Sequence, residues 1–335
     1  MDKIDVFNHF MPKEFFDKLH DIIPGHMVLD AFARLPALWD LDEHLRVMDK
    51  FDGYQQVLCL SNPPIENLGT PDQTPEYARM ANDMLSALVQ RRADRFPGFI
   101  ASLPMNNPDA AAIEAERAIT DLNARGIQMF TNGKGKPLSE PEFHQIFEVA
   151  AAHDLPVWVH PMRMPDHADY ASEEKSEDEI WFTFGWPYET TACMTRLIYS
   201  GLFDKLPELK IISHHMGGMI PYFADKISLG FSQIFKGEVD KNPVADARGL
   251  KKAPIEYYKM LYGDTSTNGS ASAMRCGHDF FTTDHCVFAT DAPFDPEGGA
   301  HLIGGTIDAV NALEIPGAEK EMIFSGNAKR LLKLN

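Results

Sequence analysis

Ile211-Ile212-Ser213-His214-His215-Met216-Gly217-Gly218 is the stretch whose reading decides the fold. A short apolar run ends in two histidines and breaks at once into glycines. This is the pattern of a buried strand that carries a polar side chain to its C-terminal end and then turns sharply. Three other stretches share it: Ile4-Asp5-Val6-Phe7-Asn8-His9, Pro156-Val157-Trp158-Val159-His160-Pro161 and Val287-Phe288-Ala289-Thr290-Asp291-Ala292-Pro293. Each closes an apolar run on His or Asp. Strand ends of this kind, spread from the first residues to the last fifth of the chain, predict one polar centre gathered by a parallel barrel.

Outward from these four, strands are expected at 4–10, 55–60, 99–103, 126–130, 156–160, 210–214, 260–264 and 287–289. Helical spacing of apolar residues falls between them, at 40–52, 74–95, 109–124, 140–153 and 190–200, and a helix at 318–335 closes the chain. Strand and helix alternate eight times. That predicts an α/β class protein, a (β/α)8 TIM barrel with a C-terminal helix. Residues 1–335 read as a single barrel domain with a variable segment at 13–37. The loop at 162–187 is too long for a plain connector and holds Trp181, Phe182, Phe184 and Trp186. It is expected to lid the site or to form a subunit contact. No GxGxxG opens a helix, which argues against a dinucleotide-binding fold.

The 335 residues are 44% hydrophobic, enough for a sizeable core, and carry a formal charge of −18. Such a surface repels phosphate backbones and anionic lipid, so neither nucleic acid nor membrane is expected as a partner. No apolar run is long enough to span a bilayer and no leader pattern opens the sequence, so a cytoplasmic location is the default expectation. Cys59, Cys193, Cys276 and Cys286 form no CxxC pair and are expected to be reduced and structural.

Active sites of such barrels lie at the C-terminal ends of the strands, where His9, His160, His215 and Asp291 all fall. Singly, each has a plainer reading: a hydrogen-bonded histidine, or an Asp that shapes a turn. Together they make a polar centre that is costly to bury without a purpose. Imidazoles and a carboxylate suit Zn²⁺, Mn²⁺ or Fe²⁺.

These stretches carry a family resemblance, together with Phe184-Gly185-Trp186-Pro187-Tyr188-Glu189-Thr190, Ser200-Gly201-Leu202-Phe203-Asp204, Ala289-Thr290-Asp291-Ala292-Pro293-Phe294 and Ser325-Gly326-Asn327-Ala328. Over nearly its whole length the chain resembles the amidohydrolase-related decarboxylases, the group of aminocarboxymuconate-semialdehyde decarboxylase and γ-resorcylate decarboxylase. The resemblance implies a (β/α)8 TIM barrel of the metal-dependent hydrolase type, one divalent metal and non-oxidative decarboxylation of an aromatic or enol-type acid. It makes His160 the strand-five metal ligand and His215 the strand-six histidine, a ligand or an acid/base group. It makes Asp291 both a ligand and a proton carrier, and His9 the second member of a first-strand pair.

The first member of that pair is His or Glu in the family and is Phe7 here. The ligand set is then His9, His160 and Asp291, with His215 as an optional fourth. Zinc is expected first, manganese or iron as alternatives, and a metal-free site is the other outcome of the change at position 7. Strand alternation turns His214 away from His215 toward the helical layer, which gives it a supporting role behind the ligands. Arg46 and Arg163 are candidates to grip a substrate carboxylate, Trp186 to line the pocket, and Asp264 to orient a ligand. The expected function is a metal-dependent carboxy-lyase acting on a small carboxylic acid. The alternatives are a metal-dependent hydrolase of an ester, lactone or amide, and a non-catalytic or oxygenase-type partner subunit. A homo-oligomer, a dimer in the simplest case, is expected, with a homologous second subunit as the variant.

Overall fold

Among the described residues eight short parallel strands stand in a ring, with helical segments between them on the outside. The computed structural model describes residues 1–230 and 242–334. The strands are β1 (Lys3–Asp5), β2 (Tyr54–Leu58), β3 (two pieces, Gly98–Phe99 and Ala101–Ser102), β4 (Ile127–Phe130), β5 (Val157–His160), β6 (Ile211–Ser213), β7 (Tyr262–Asp264) and β8 (Cys286–Val287). Neighbours in sequence are neighbours in space, all paired in parallel. The register sets Phe130 beside His160 and Val157 beside Ile211.

The third strand, expected as one run, is split at Ile100. Its first piece pairs with β2 and its second with β4. Backbone bonds carry the ladder across: Ile100 N donates to the Leu58 carbonyl (2.9 Å) and Ala101 N to that of Gly126 (3.0 Å). The ring closes in the same way between β8 and β1. Val6 N donates to Phe288 O (2.9 Å), Thr290 N to Phe7 O (3.2 Å) and His9 N to Ala292 O (2.7 Å). Closure removes the sheet edges that would otherwise be left unpaired.

A buried carboxylate ties that seam. Asp5 accepts from the Tyr54 hydroxyl (2.5 Å), the Thr290 hydroxyl (2.6 Å) and the Phe7 backbone N–H (3.0 Å). Burial nonetheless pushes the Asp5 carboxyl up to about 7, against those hydrogen bonds.

Inside the ring, Ile4, Val57, Ile100, Trp158, Ile212 and Val287 form a dry core. Burying each side chain of this size contributes roughly 1.5–3 kcal/mol. Trp158 packs where a Cβ on Gly126 would come within 2.5 Å of its ring, so β4 needs glycine there. Ala328, Leu331 and Leu332 join this inner core from the closing helix Asn327–Leu332. Asn327 Nδ2 anchors that helix by donating to the carbonyls of Thr283 (2.7 Å) and Cys286 (2.8 Å), just before and at the start of β8. The helices pack a second apolar layer on the outside of the ring. The four cysteines are unpaired. Among the described residues no helix is long and apolar enough to cross a membrane.

The variable segment folds as two helices, Lys13–Ile22 and Met27–Ala33. The long loop ends earlier than the spacing suggests. A π-helical turn, Trp181–Gly185, runs directly into the helix Trp186–Tyr199. Residues 186 and 187, expected in the loop, are therefore helical.

Candidate active site

The C-terminal ends of β1, β5, β6 and β8 converge. His9 follows β1 by four residues, His160 ends β5, His214 and His215 follow β6 directly, and Asp291 follows β8 by four. Ligand atoms of His9, His160 and Asp291 all lie within 4.8 Å of one another. His9 Nε2 is 2.8 Å from Asp291 Oδ1 and His215 Nε2 is 3.6 Å from Asp291 Oδ2. His160 and His9 are buried, while His215 keeps 20% of its side chain exposed.

The local chain explains why these side chains meet. Asp291 adopts φ +65°, with its N–H on the Phe7 carbonyl (3.1 Å). After Ser213 the backbone does not stay extended. His215 and Met216 both take left-handed conformations (φ +54° and +51°), and Gly217 and Gly218 follow at φ +72° and +64°. Left-handed non-glycine residues cost about 1–2 kcal/mol each. The buried Asp264 offsets part of that cost, because its Oδ1 accepts from the N–H of His215 (2.9 Å) and of Ser266 (3.1 Å).

This turn corrects the expectation for His214. Alternation assumes an extended chain, and the chain curls. His214 is fully buried, its ring centroid 3.6 Å from that of Phe7 and 5.3 Å from that of His160, so it faces the barrel centre and not the helical layer. Its Nδ1 meets the Asp264 carboxylate. Asp264 ends β7, fully buried, with its carboxylate at His214 Nδ1 and at the His215 N–H.

Arg46 is a second correction. It is exposed on the helix Leu41–Met48 and bound to Glu43 (2.6 and 2.9 Å), which leaves it no part in the centre. Arg163 is largely buried but engaged by Asp169 (2.9 Å), with Glu189 at 3.7 Å. Its backbone carbonyl accepts from the Trp186 indole N–H (3.1 Å), and the Trp186 ring stands edge-on to His160, centroids 5.2 Å apart.

Two wall residues went unread in the sequence. Phe294 lies against His9 (4.9 Å between centroids) and Phe130 against His160 (5.2 Å). Phe294 follows Asp291 by three residues and Phe130 ends β4 beside His160 in register, which is the signal that would have found them. A small cavity of about 10 Å³, room for one water, adjoins Phe130. Ser61, Glu66, Ser102 and Gln128 supply its polar lining. Burial pushes the Glu66 carboxyl up to about 8.

The electrostatics favour a cation. Burial pushes Asp291 up, but His215 and His9 outweigh it and hold the carboxyl well below its usual range. Burial also opposes charge on His215, and the Asp291 carboxylate outweighs that and raises it. Burial, with His214 and His9 beside it, keeps His160 well below its ordinary value, so it is a neutral imidazole. His160 Nδ1 is 2.6 Å from the Pro161 carbonyl, which can only accept, so the proton is on Nδ1 and Nε2 is free to ligate. Ligand bonds of about 2.0–2.2 Å let one ion bridge donors up to about 4 Å apart, close to the spacing of His9, His160 and Asp291. The donor set fits a divalent metal.

A closed parallel barrel with two imidazoles and a carboxylate at its strand ends defines the class of metal-binding (β/α)8 proteins. Within that class the chain belongs to the amidohydrolase family, whose model matches residues 4–334. It is 30% identical to the gamma-resorcylate decarboxylase of Polaromonas sp. over 340 residues, 99% of each chain. It is 25% identical to the 2-amino-3-carboxymuconate-6-semialdehyde decarboxylase of Dictyostelium discoideum over 349 residues, 99% of this chain and 92% of that one. Among solved structures it is similar to the dihydroxybenzoic acid decarboxylase of Polaromonas sp. with bound manganese and the inhibitor 2-nitroresorcinol. That match has a TM-score of 0.81 and 28% identity, and covers 99% of this chain and 97% of that one.

Proposed function

We propose that the chain is a metal-dependent carboxy-lyase that removes CO₂ from a small aromatic carboxylic acid without oxidation. One observation carries the reading: His9, His160 and Asp291 gather their ligand atoms at a barrel mouth walled by the rings of Phe130, Trp186 and Phe294. The resorcylate and carboxymuconate decarboxylases above support it, and the hydrolytic and partner-subunit readings find no support among them. His9, His160 and Asp291 would hold one divalent ion. Zinc is the ion expected from the sequence, and manganese is the ion in the Polaromonas relative.

When bound, the ion supplies Lewis acidity and a template for the substrate carboxylate and a neighbouring oxygen. The residues do the rest. Phe294 beside His9 and Trp186 beside His160 would wall a planar ring. His160, its Nδ1 fixed on the Pro161 carbonyl, keeps one orientation. His215 would hold the proton for the substrate carbon, because the Asp291 carboxylate 3.6 Å away favours its charged form. A C–H bond forms at the carbon bearing the carboxylate, the C–C bond to that carboxylate breaks, and its electrons return to the ring as CO₂ leaves. Arg163, held by Asp169, backs Trp186.

The test is CO₂ release from a panel of hydroxybenzoic acids, beside metal content before and after chelation. His160→Ala and Asp291→Ala are expected to lose more than about a hundredfold in rate and most of the metal while keeping the wild-type circular dichroism. Full activity in either variant refutes the reading. The proposal extends to a cytoplasmic homo-oligomer, supported by the exposed aromatics Phe182, Phe184 and Tyr188 around the loop, and light scattering decides the oligomer.

A further inference from the structure

The loss at position 7 and the extra histidine at 214 meet in space. Phe7 has no exposure, and its ring lies 4.8 Å from that of His9, 5.7 Å from that of His160 and 3.6 Å from that of His214. A phenyl ring ligates nothing, so it leaves the β1 side of the centre one donor short. His214 reaches that side from β6. Its Nδ1 sits against Asp264 Oδ2 as an ion-pair contact outside ordinary hydrogen-bond geometry, and the nitrogen across the ring, Nε2, is buried with no group against it.

We propose that His214 is the metal ligand that replaces the one missing at position 7, with Asp264 as its positioning residue. A ligating histidine typically gives its other ring nitrogen to a carboxylate, which fixes tautomer and direction. Asp264 does this for His214, and its second oxygen is itself fixed by the N–H groups of His215 and Ser266. The left-handed turn at His215 and Met216 is what lets both histidines of the pair serve the centre, His214 from within and His215 beside Asp291. A merely structural His214 accounts for the Asp264 contact but leaves Nε2 buried and unmet, with its ring 5.3 Å from that of His160. His214 lies outside the 4.8 Å group of His9, His160 and Asp291, so ligation draws its side chain toward the ion. The ligand set becomes His9, His160, His214 and Asp291, with His215 left for proton transfer. This inference rests on the metal-dependent reading above.

Cobalt(II) is the probe, read by dissociation constant and visible spectrum on chelator-stripped full-length protein. His214→Ala is expected to weaken cobalt binding by about a hundredfold and to change the spectrum, and Asp264→Asn to weaken it by about tenfold. His214→Gln serves in place of Ala if the smaller side chain unfolds the chain, with melting curves as control. The double variant Phe7→His, His214→Gly moves the ligand back to β1 and is expected to recover most of the affinity that His214→Gly alone loses. Wild-type affinity and spectrum in both His214→Ala and His214→Gln would overturn the assignment and leave the decarboxylase reading standing. So would a double variant no better than His214→Gly. A wild-type chain that takes up no cobalt, zinc or manganese would overturn both.

Discussion

At the scale of the residue, a buried acid outside the ligand cluster gives a sharp expectation. Glu66 lies in the loop after β2 with its carboxyl raised from 4.5 to about 8 by burial. A raised carboxyl pKa means that the folded state keeps the proton longer than the unfolded chain does. Its contribution to stability is therefore best below about pH 4.5 and is lost as pH rises through about 8. Glu66→Gln removes the ionisation. Its stability relative to wild type is expected to rise across that window, by up to about 5 kcal/mol at the alkaline end, as read from urea midpoints at about pH 5 and about pH 9. A difference that does not change with pH refutes the buried-acid description. His9, His160 and Asp291 were legible in the sequence because a polar residue closing an apolar run has one natural place in a barrel. Glu66 was not, since nothing in Pro63-Pro64-Ile65-Glu66 distinguishes a buried carboxyl from a solvated one. Arg46 misled for the converse reason: a cation in sequence does not reveal the Glu43 that already binds it.

At the scale of the element, the turn after β6 decides the geometry of the centre. Gly218 has φ +64°, and a Cβ there would stand 2.5 Å from the Pro187 carbonyl on the helix that follows the long loop. Gly218→Ala is expected to cost about 2–3 kcal/mol and to push the histidine turn away from that helix, lowering stability and CO₂ release together. Thermal melts alongside activity check this, and an unchanged melting temperature refutes it. The strand ends could be read from sequence, but this turn could not. Period-two alternation holds only while the chain stays extended, and His215 and Met216 leave that region. The π-helical turn Trp181–Gly185 escaped for a similar reason, because its apolar spacing does not follow the 3.6-residue period by which a helix is recognised.

At the scale of the molecule, eight strand-and-helix alternations sufficed to read the barrel, because parallel strands buried on both faces are short apolar runs that differ from the amphipathic helices around them. How the ring closes was not legible, since the seam depends on a polar residue within the first strand. Asp5 binds Tyr54, Thr290 and the Phe7 N–H across β1, β2 and the end of β8. Thr290→Val keeps the shape and removes one of these partners. It is expected to lower global stability by about 1–3 kcal/mol while leaving the helical content unchanged, measured by urea unfolding.

The same seam has a consequence for how the protein comes into being. His9 and Asp291 are 282 residues apart in the chain, yet they touch. At about 5–20 residues per second on the ribosome, roughly 15–55 s pass between synthesis of the first and of the second. Through that interval the nascent chain holds one end of its His/Asp cluster without the other. A growing chain whose ribosome stalls before β8 carries no seam, and the His9–Asp291 contact belongs to a chain made past β8.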